Sequence, residues 1–273
     1  MRLNKLCEIE DWQQPRLRAL MCDLEPDLAA AYPGYPAGRE HRKSWEYAHL
    51  IAGLEQLEAL HPQAMVLAVA AGNERPLYAL SRRVRWVFAI DVYGTSVFSN
   101  HEARKDMLSD PDSFALLPHN RNRLVVQYMD ARDLRFEDGT FDVAYCLSSI
   151  EHFGGIAGGQ KALTEMQRVL KPGGVAVLTT ECIVNGAAHL SEEHFELFTP
   201  ITLRRLLAAA RNLTLVEPIS FSLSKSTLAT RPIPMDKAVH DGTRCQADYP
   251  HLLLHHAGRL FTSIALFLRK SPS

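Results

Sequence analysis

The sequence predicts an α/β fold, a doubly wound and mostly parallel sheet behind an N-terminal helical cap, and three observations lead to it. Five short apolar runs follow one another at residues 65–70, 86–90, 124–128, 141–147 and 175–179. They are rich in Val, Ile, Leu and Ala without strict alternation, as strands buried on both faces are. Each ends in small or acidic residues, and helical or polar segments separate them.

Taken in order, the first forty residues carry Pro15, Pro26, Pro33 and Pro36 with Gly34 and Gly38, so helices there must be short and divided by turns. From 41 to 60, Trp45, Ala48, Ile51, Leu54 and Leu57 recur every three residues, the spacing of an amphipathic helix. Residues 1–62 thus form the expected cap, and 63–273 the sheet domain. Around 158–170, Ala162, Met166, Val169 and Leu170 share one helix face, and Lys171-Pro172-Gly173-Gly174 stops that helix. A helix near 201–210, a strand near 213–221, a long irregular stretch and a strand over 261–268 complete the chain. The connections 182–200 and 222–250 are long enough to be substrate-side insertions.

The 273 residues suffice for one large α/β core with extensions. Lys and Arg number 30 against 31 Asp and Glu, so no overall field attracts polyanions, and nucleic acid is a disfavoured partner. No Asn-Pro-Pro-Tyr or Asp-Pro-Pro-Tyr motif follows the fourth run. Cys7, Cys22, Cys146, Cys182 and Cys245 are scattered, without zinc or disulfide spacing. With no secretory signal pattern and no apolar run long enough to span a bilayer, a cytoplasmic protein without a membrane partner is expected.

In an open parallel sheet, ligands bind beyond the carboxyl ends of the strands. Here those ends read Ala70-Ala71-Gly72-Asn73-Glu74, Asp91-Val92, Asp130-Ala131, Ser148-Ser149-Ile150-Glu151-His152 and Glu181. Small residues at 70–72 let a ligand approach the backbone. Asp91 stands about twenty residues beyond Gly72, the interval from a glycine turn to a ribose-binding carboxylate. Taken alone, Asp91 reads equally as a strand-end or N-cap aspartate, Asp130 as a turn former and Gly72 as an ordinary turn. The ordered set carries the reading.

That order resembles the class I, Rossmann-like, S-adenosylmethionine-dependent methyltransferases. The likeness runs through the 66–74 segment, Ile90-Asp91, Asp130-Ala131, residues 141–153, and Glu165 with 168–174. The resemblance implies a seven-stranded sheet whose last strand is antiparallel. It also implies S-adenosylmethionine as cofactor, with its methionine part near Ala70, Ala71, Gly72 and Asn73, its ribose on Asp91 beside Val92, its adenine near Asp130 and Ala131, and Ser148 lining the pocket. The first motif departs from the family: Ala68 replaces an acidic residue, Ala70 a glycine, and Glu74 stands where a last glycine is common.

Methyl transfer to a hydroxyl benefits from a base within hydrogen-bond reach, and His152, on the ligand edge, is the candidate. Glu151 and Glu181 are candidates to orient it or to bind a substrate hydroxyl. A divalent metal on Glu181 with His189 or His194 is conceivable but unassigned. Residues 41–46 and 148–154 bear a looser resemblance to bacterial methyltransferases of glycan and secondary-metabolite pathways. It implies O-methylation of a sugar or similar small acceptor, with Trp45 and His189 as substrate contacts; a homodimer is compatible. Two other readings stay open: an NAD-dependent oxidoreductase, which should show a fuller glycine fingerprint than Gly72, and a non-catalytic S-adenosylmethionine-binding module.

Overall fold

The structure, a computed structural model, describes residues 1–236 and 248–272. Part of the expected 222–250 insertion, with Cys245, lies outside the described residues. A short strand β1 (Lys5–Leu6) and a 3-10 turn (Ile9–Gln13) lead into α1 (Pro15–Leu24) and α2 (Pro26–Ala31). Pro15 and Pro26 each open a helix, where the missing N–H would have had no partner anyway. Next come α3 (Arg42–Gln56), β2 (Met65–Val69), α4 (Arg75–Ser81), β3 (Trp86–Asp91), β4 (Leu124–Tyr128) and β5 (Phe141–Leu147). They are followed by α5 (Gly155–Val169), β6 (Leu170–Ile183), the hairpin β7 (Leu190–Glu192) and β8 (Phe195–Leu197), and α6 (Pro200–Leu207). The chain ends with β9 (Leu213–Leu215), α7 (Lys225–Leu228), β10 (Ile233–Pro234), β11 (Leu254–His256) and β12 (Arg259–Lys270).

The main sheet runs β4-β3-β2-β5-β6-β12. Its first five strands are parallel, and β12 is antiparallel to β6 from Phe261 opposite Ile183 to Arg269 opposite Val175. This is a Rossmann-like architecture with the expected antiparallel last strand, but among the described residues the sheet has ten strands rather than seven. Three of the additions lie along β12, whose twelve residues exceed any one partner's reach, and the fourth, β10, pairs with β11. Three segments cover its outer edge in series: β11 beside 259–261, β1 beside Ile264 and Ala265, and β9 beside 268–270. Segments of two or three residues carry too little periodicity to be read from sequence. The strand expected over 213–221 stops after Leu215 for a related reason. Glu217 turns away to accept the Leu3 and Asn4 amides, at 2.7 and 3.1 Å.

Two apolar layers enclose the sheet. On one face α1, α3 and α4 bring Leu17, Trp45, Ile51 and Leu77 against Val66, Val87 and Phe267; on the other α5 and α6 bring Leu163, Met166 and Leu206 against Leu67, Phe141 and Leu178. The first layer runs across residue 62 without a break. The spacing over 41–60 predicts an amphipathic helix, yet α3 is buried continuously from Ser44 to Leu54. It is covered on all sides, so its polar residues Glu46 and His49 are core residues. Among the described residues no helix is long and apolar enough to cross a membrane.

Candidate active site

The strand ends meet as parallel-sheet topology requires. The loop after β2 turns sharply, with Ala70 and Gly72 both left-handed, at φ +49° and +48°. Glycine adopts that region freely, whereas Ala70 carries strain of about 1–2 kcal/mol. At Gly72 a Cβ would stand 2.9 Å from the Glu102 carbonyl oxygen, so the turn demands a glycine. The Gly72 amide donates to Asp91 Oδ2 at 2.9 Å, the Val92 amide donates to Oδ1 at 2.7 Å, and the Tyr93 hydroxyl donates to the Gly72 carbonyl at 2.8 Å. Asp91 therefore fixes the turn as well as facing the cleft. Its burial pushes the carboxyl above the usual aspartate range, and the two amides oppose that shift.

A cavity of about 260 Å³ opens at this edge, lined by Ala70, Asp91, Val92, Asp130, Ala131 and His152 among the residues expected there. Met129, Arg132, Phe153 and Gly154 complete its inner wall, and Glu193 and His194, from the tip of the β7–β8 hairpin, form its rim. Small residues at 70 and 131, a buried carboxylate on Asp91 and an apolar Met129 suit a nucleoside, so the residues present fit the cofactor that the strand ends imply. Asp130 carries a complication: the Arg132 guanidinium binds both its oxygens and holds its carboxyl below the ordinary range. Arg132 stands two residues along the same turn, and its role follows from that pairing alone.

His152 sits in the cavity wall between aromatic rings, edge-on to Phe98 at 4.8 Å and stacked on Phe195 at 5.5 Å. Its Nδ1 lies 2.6 Å from the His194 carbonyl oxygen. A carbonyl only accepts, so Nδ1 carries the proton and Nε2 keeps its lone pair. Burial lowers the His152 pKa, which keeps the ring neutral near pH 7.

Several expected residues lie elsewhere. Glu151 does not orient His152: it is buried and accepts from the Thr180 hydroxyl at 2.8 Å. The orienting group is a backbone carbonyl on the hairpin, which no side-chain pattern signals. Glu181 pairs with Arg42 rather than with a histidine. Burial pushes both carboxyls up; the Glu46 carboxylate adds to both shifts, and Glu151 adds to that of Glu181. Trp45 is no substrate contact: it is fully buried, stacks on His49 and donates to Asp11 at 2.7 Å. His189 is outside the cavity wall, held by Glu196 at 2.6 Å. Ala71 is buried, its amide on the Ile90 carbonyl, and neither it nor Gly72 or Asn73 reaches the cavity wall. Ser148 turns away from the cavity, donating to Glu46 at 2.9 Å. Among the described residues no three His, Cys, Asp or Glu side chains converge as a metal ion would need.

Behind the cavity lies a buried polar cluster that periodicity hides. Glu46, fully buried on α3, accepts from Ser148, from Thr179 at 3.1 Å and from Ser263 at 2.5 Å, and pairs with Lys43 at 3.1 Å and Arg42 at 3.4 Å. These cations hold its carboxyl below the usual range despite burial. On a helix of this spacing Arg42, Lys43 and Glu46 read as a solvated face, and only the strands packed over them reverse that.

Residues 67–178 match the methyltransferase domain family. A sterol 4-C-methyltransferase of Caenorhabditis elegans is 33% identical over 75 residues, which cover 28% of this chain and 22% of that protein. The match thus spans about a fifth of that relative's length. Among solved structures, the YcgJ protein of Bacillus subtilis superposes with a TM-score of 0.55 at 17% identity, over 84% of this chain and 99% of that one. The 1,6-didemethyltoxoflavin-N1-methyltransferase of Burkholderia thailandensis, solved with S-adenosylhomocysteine, gives 0.51 at 18% identity, over 94% and 91%. The fold is that of the class I S-adenosylmethionine-dependent methyltransferases. The domain match and the shared fold agree on the same stretch, from β2 to β6.

Proposed function

We propose that this chain is an S-adenosylmethionine-dependent methyltransferase that transfers the methyl group to a hydroxyl of a sugar or similarly polar small molecule, with His152 as general base. The observation that carries the proposal is the placing of His152 in the same cavity wall as Asp91 and Ala131, its Nδ1 engaged by the His194 carbonyl and its Nε2 left to accept. When bound, S-adenosylmethionine supplies a methyl group on a positively charged sulfur, which leaves readily. The protein then has to position an acceptor in line and exclude water. Asp91, with Ala70, Met129 and Ala131, would hold the nucleoside end. The Phe98 and Phe195 rings flank His152, dry its surroundings and keep the imidazole neutral. Nε2 takes the proton as the acceptor oxygen attacks, and the neutral ring is restored by loss of that proton to solvent. The exposed Glu193 carboxylate on the cavity rim offers a hydrogen-bond acceptor suited to hydroxyl-rich molecules. The chain is also proposed to act in a reducing compartment, consistent with the free thiols of Cys7, Cys22, Cys146 and Cys182.

A methyl-donor assay against sugars, phenols and carboxylates, run with and without chelator, tests the acceptor class. On the acceptor that responds, His152→Ala is expected to lower kcat by about 10²- to 10⁴-fold while S-adenosylhomocysteine still binds. An unchanged kcat removes His152 as the base. Binding of the cofactor with no acceptor methylated favours a binding module instead.

A further inference from the structure

The segment that carries His152 is poorly fixed by its own sequence. It is a single 3-10 turn (Ile150–His152), with the His152 amide on the Ser149 carbonyl at 2.9 Å, and Gly154 and Gly155 follow at φ +86° and +78°. Glycine enters that region freely, so two in succession leave the chain many ways out of the turn. Ile150 is buried in the core and Glu151 is tied to Thr180, which anchors the turn but not the imidazole. Phe98 borders the ring edge-on and offers no acceptor for Nδ1. What orients the ring comes from the β7–β8 hairpin, through the His194 carbonyl and the stacked Phe195.

That hairpin cannot hold itself. Its strands pair over three residues each, and an isolated two-stranded hairpin is marginal in water. A polar brace adds to the short ladder. Glu196, buried on β8, accepts from the Ser191 hydroxyl on β7 at 2.6 Å and pairs with His189, just before β7, at 2.6 Å. An ionised carboxylate only accepts, so His189 Nε2 carries a proton. His189 Nδ1 lies 3.3 Å from the Thr202 hydroxyl in the first turn of α6. A Cβ added to Gly155 would stand 3.3 Å from Glu196 Oε1, so Glu196 also packs on the residue that opens α5, three positions after His152. Outside the brace, Glu192 pairs with His256 of β11 at 2.9 Å, an exposed contact that adds little. A buried carboxylate left without its partners is strongly destabilising, so the hairpin stays docked only while His189 and Ser191 satisfy Glu196.

We propose that Glu196 and His189 are positioning residues for His152: they latch the hairpin to the first turns of α5 and α6, so that the His194 carbonyl holds the proton on His152 Nδ1 and leaves Nε2 as the base. This rests on the base reading above and adds to it the side chains that set the tautomer. His189 thus acts one step removed from the acceptor, through Glu196 and the hairpin tip.

Nitrogen and carbon NMR of the histidine rings in the full chain tests it at about pH 8, where an ordinary imidazole is neutral. The His152 signals are identified by their absence in His152→Gln. Wild-type protein is expected to show one tautomer at His152, Nδ1–H, and His189→Leu a mixture of Nδ1–H and Nε2–H. Because only a ring with a free Nε2 accepts the proton, kcat on the acceptor found by the methyl-donor assay should fall about 10-fold, part of the 10²- to 10⁴-fold that a positioned base contributes. The affinity for S-adenosylhomocysteine should stay within about threefold, since neither His189 nor Glu196 lines the cavity. If His189→Leu fails to fold, Ser191→Ala, which removes one donor from Glu196, carries the same comparison. An unchanged tautomer in the folded variant, or a loss of S-adenosylhomocysteine affinity as large as the loss in kcat, overturns the latch. A mixed tautomer with unchanged kcat upholds the latch and sinks the base reading alone, whereas wild-type protein with the proton on Nε2 sinks both.

Discussion

One backbone oxygen decides what His152 can do. The His194 carbonyl selects the tautomer, and burial lowers the imidazole pKa below its ordinary 6.5. A general base works when neutral, so activity should be lost as pH falls through the depressed value. A pH profile of kcat/KM is expected to be level near pH 7 and to fall with an acid limb centred below about 6.5; a limb centred above that value removes His152 as its source. Ala70 offers a second test at this scale. Its φ of +49° is strained for alanine, while glycine gives back part of the relief through a freer unfolded chain. Ala70→Gly should therefore raise stability by about 0.5–1 kcal/mol, read from the urea midpoint at unchanged slope. A destabilised variant would mean that the methyl group contributes packing that outweighs the strain.

Among the elements, α3 links fold and site. Its first turn supplies Arg42, Lys43 and Glu46 to the strand ends, and its last turns lie flat on β12. There Gly53 meets the Phe267 ring so closely that an added Cβ would stand 2.3 Å from ring carbons. Phe267 is fully buried and has nowhere to retreat. Helix propensity favours Gly53→Ala by about 1 kcal/mol, but overpacking a closed core commonly costs 1–3 kcal/mol or more. The clash should win, and thermal unfolding of Gly53→Ala should show a net loss of stability. A stabilised variant would show that α3 can shift off the sheet. The β7–β8 hairpin acts in a comparable way, since it brings Glu193, His194 and Phe195 around His152 from more than forty residues away.

For the molecule as a whole, the covered edge of β12 makes the N-terminus part of the sheet. Leu3 and Leu6 are buried, β1 pairs with Ile264 and Ala265, and the Cys7 amide donates to the Ser263 carbonyl. Burying a leucine side chain is worth about 1.5–3 kcal/mol, so deletion of residues 1–7 should destabilise the protein by several kcal/mol and bare the middle of the β12 edge. Urea denaturation of the truncated chain checks this, and an unshifted midpoint would show that β1 is dispensable. Ser263, at the centre of the same stretch, donates to Glu46, so the deletion should also loosen the buried polar cluster behind the cavity.

What the amino-acid order alone determined is the parallel sheet, its ligand-bearing edge, and the places of Gly72, Asp91, Ala131 and His152 on that edge. These are local properties: a run of apolar residues makes a strand, and the residue after it must lie at the strand's end. Only the tertiary structure decided which side chains are spent on one another. It placed Trp45 and Glu46 in the core, turned Ser148 from the cavity to Glu46, removed Glu151 and Glu181 from His152, and gave that histidine a carbonyl from a distant hairpin. Hydrogen-bond partners such as Ser263 and Glu46 are 217 residues apart. Their meeting depends on the order of strands in the sheet and on how three short segments share the β12 edge, which no window of sequence contains.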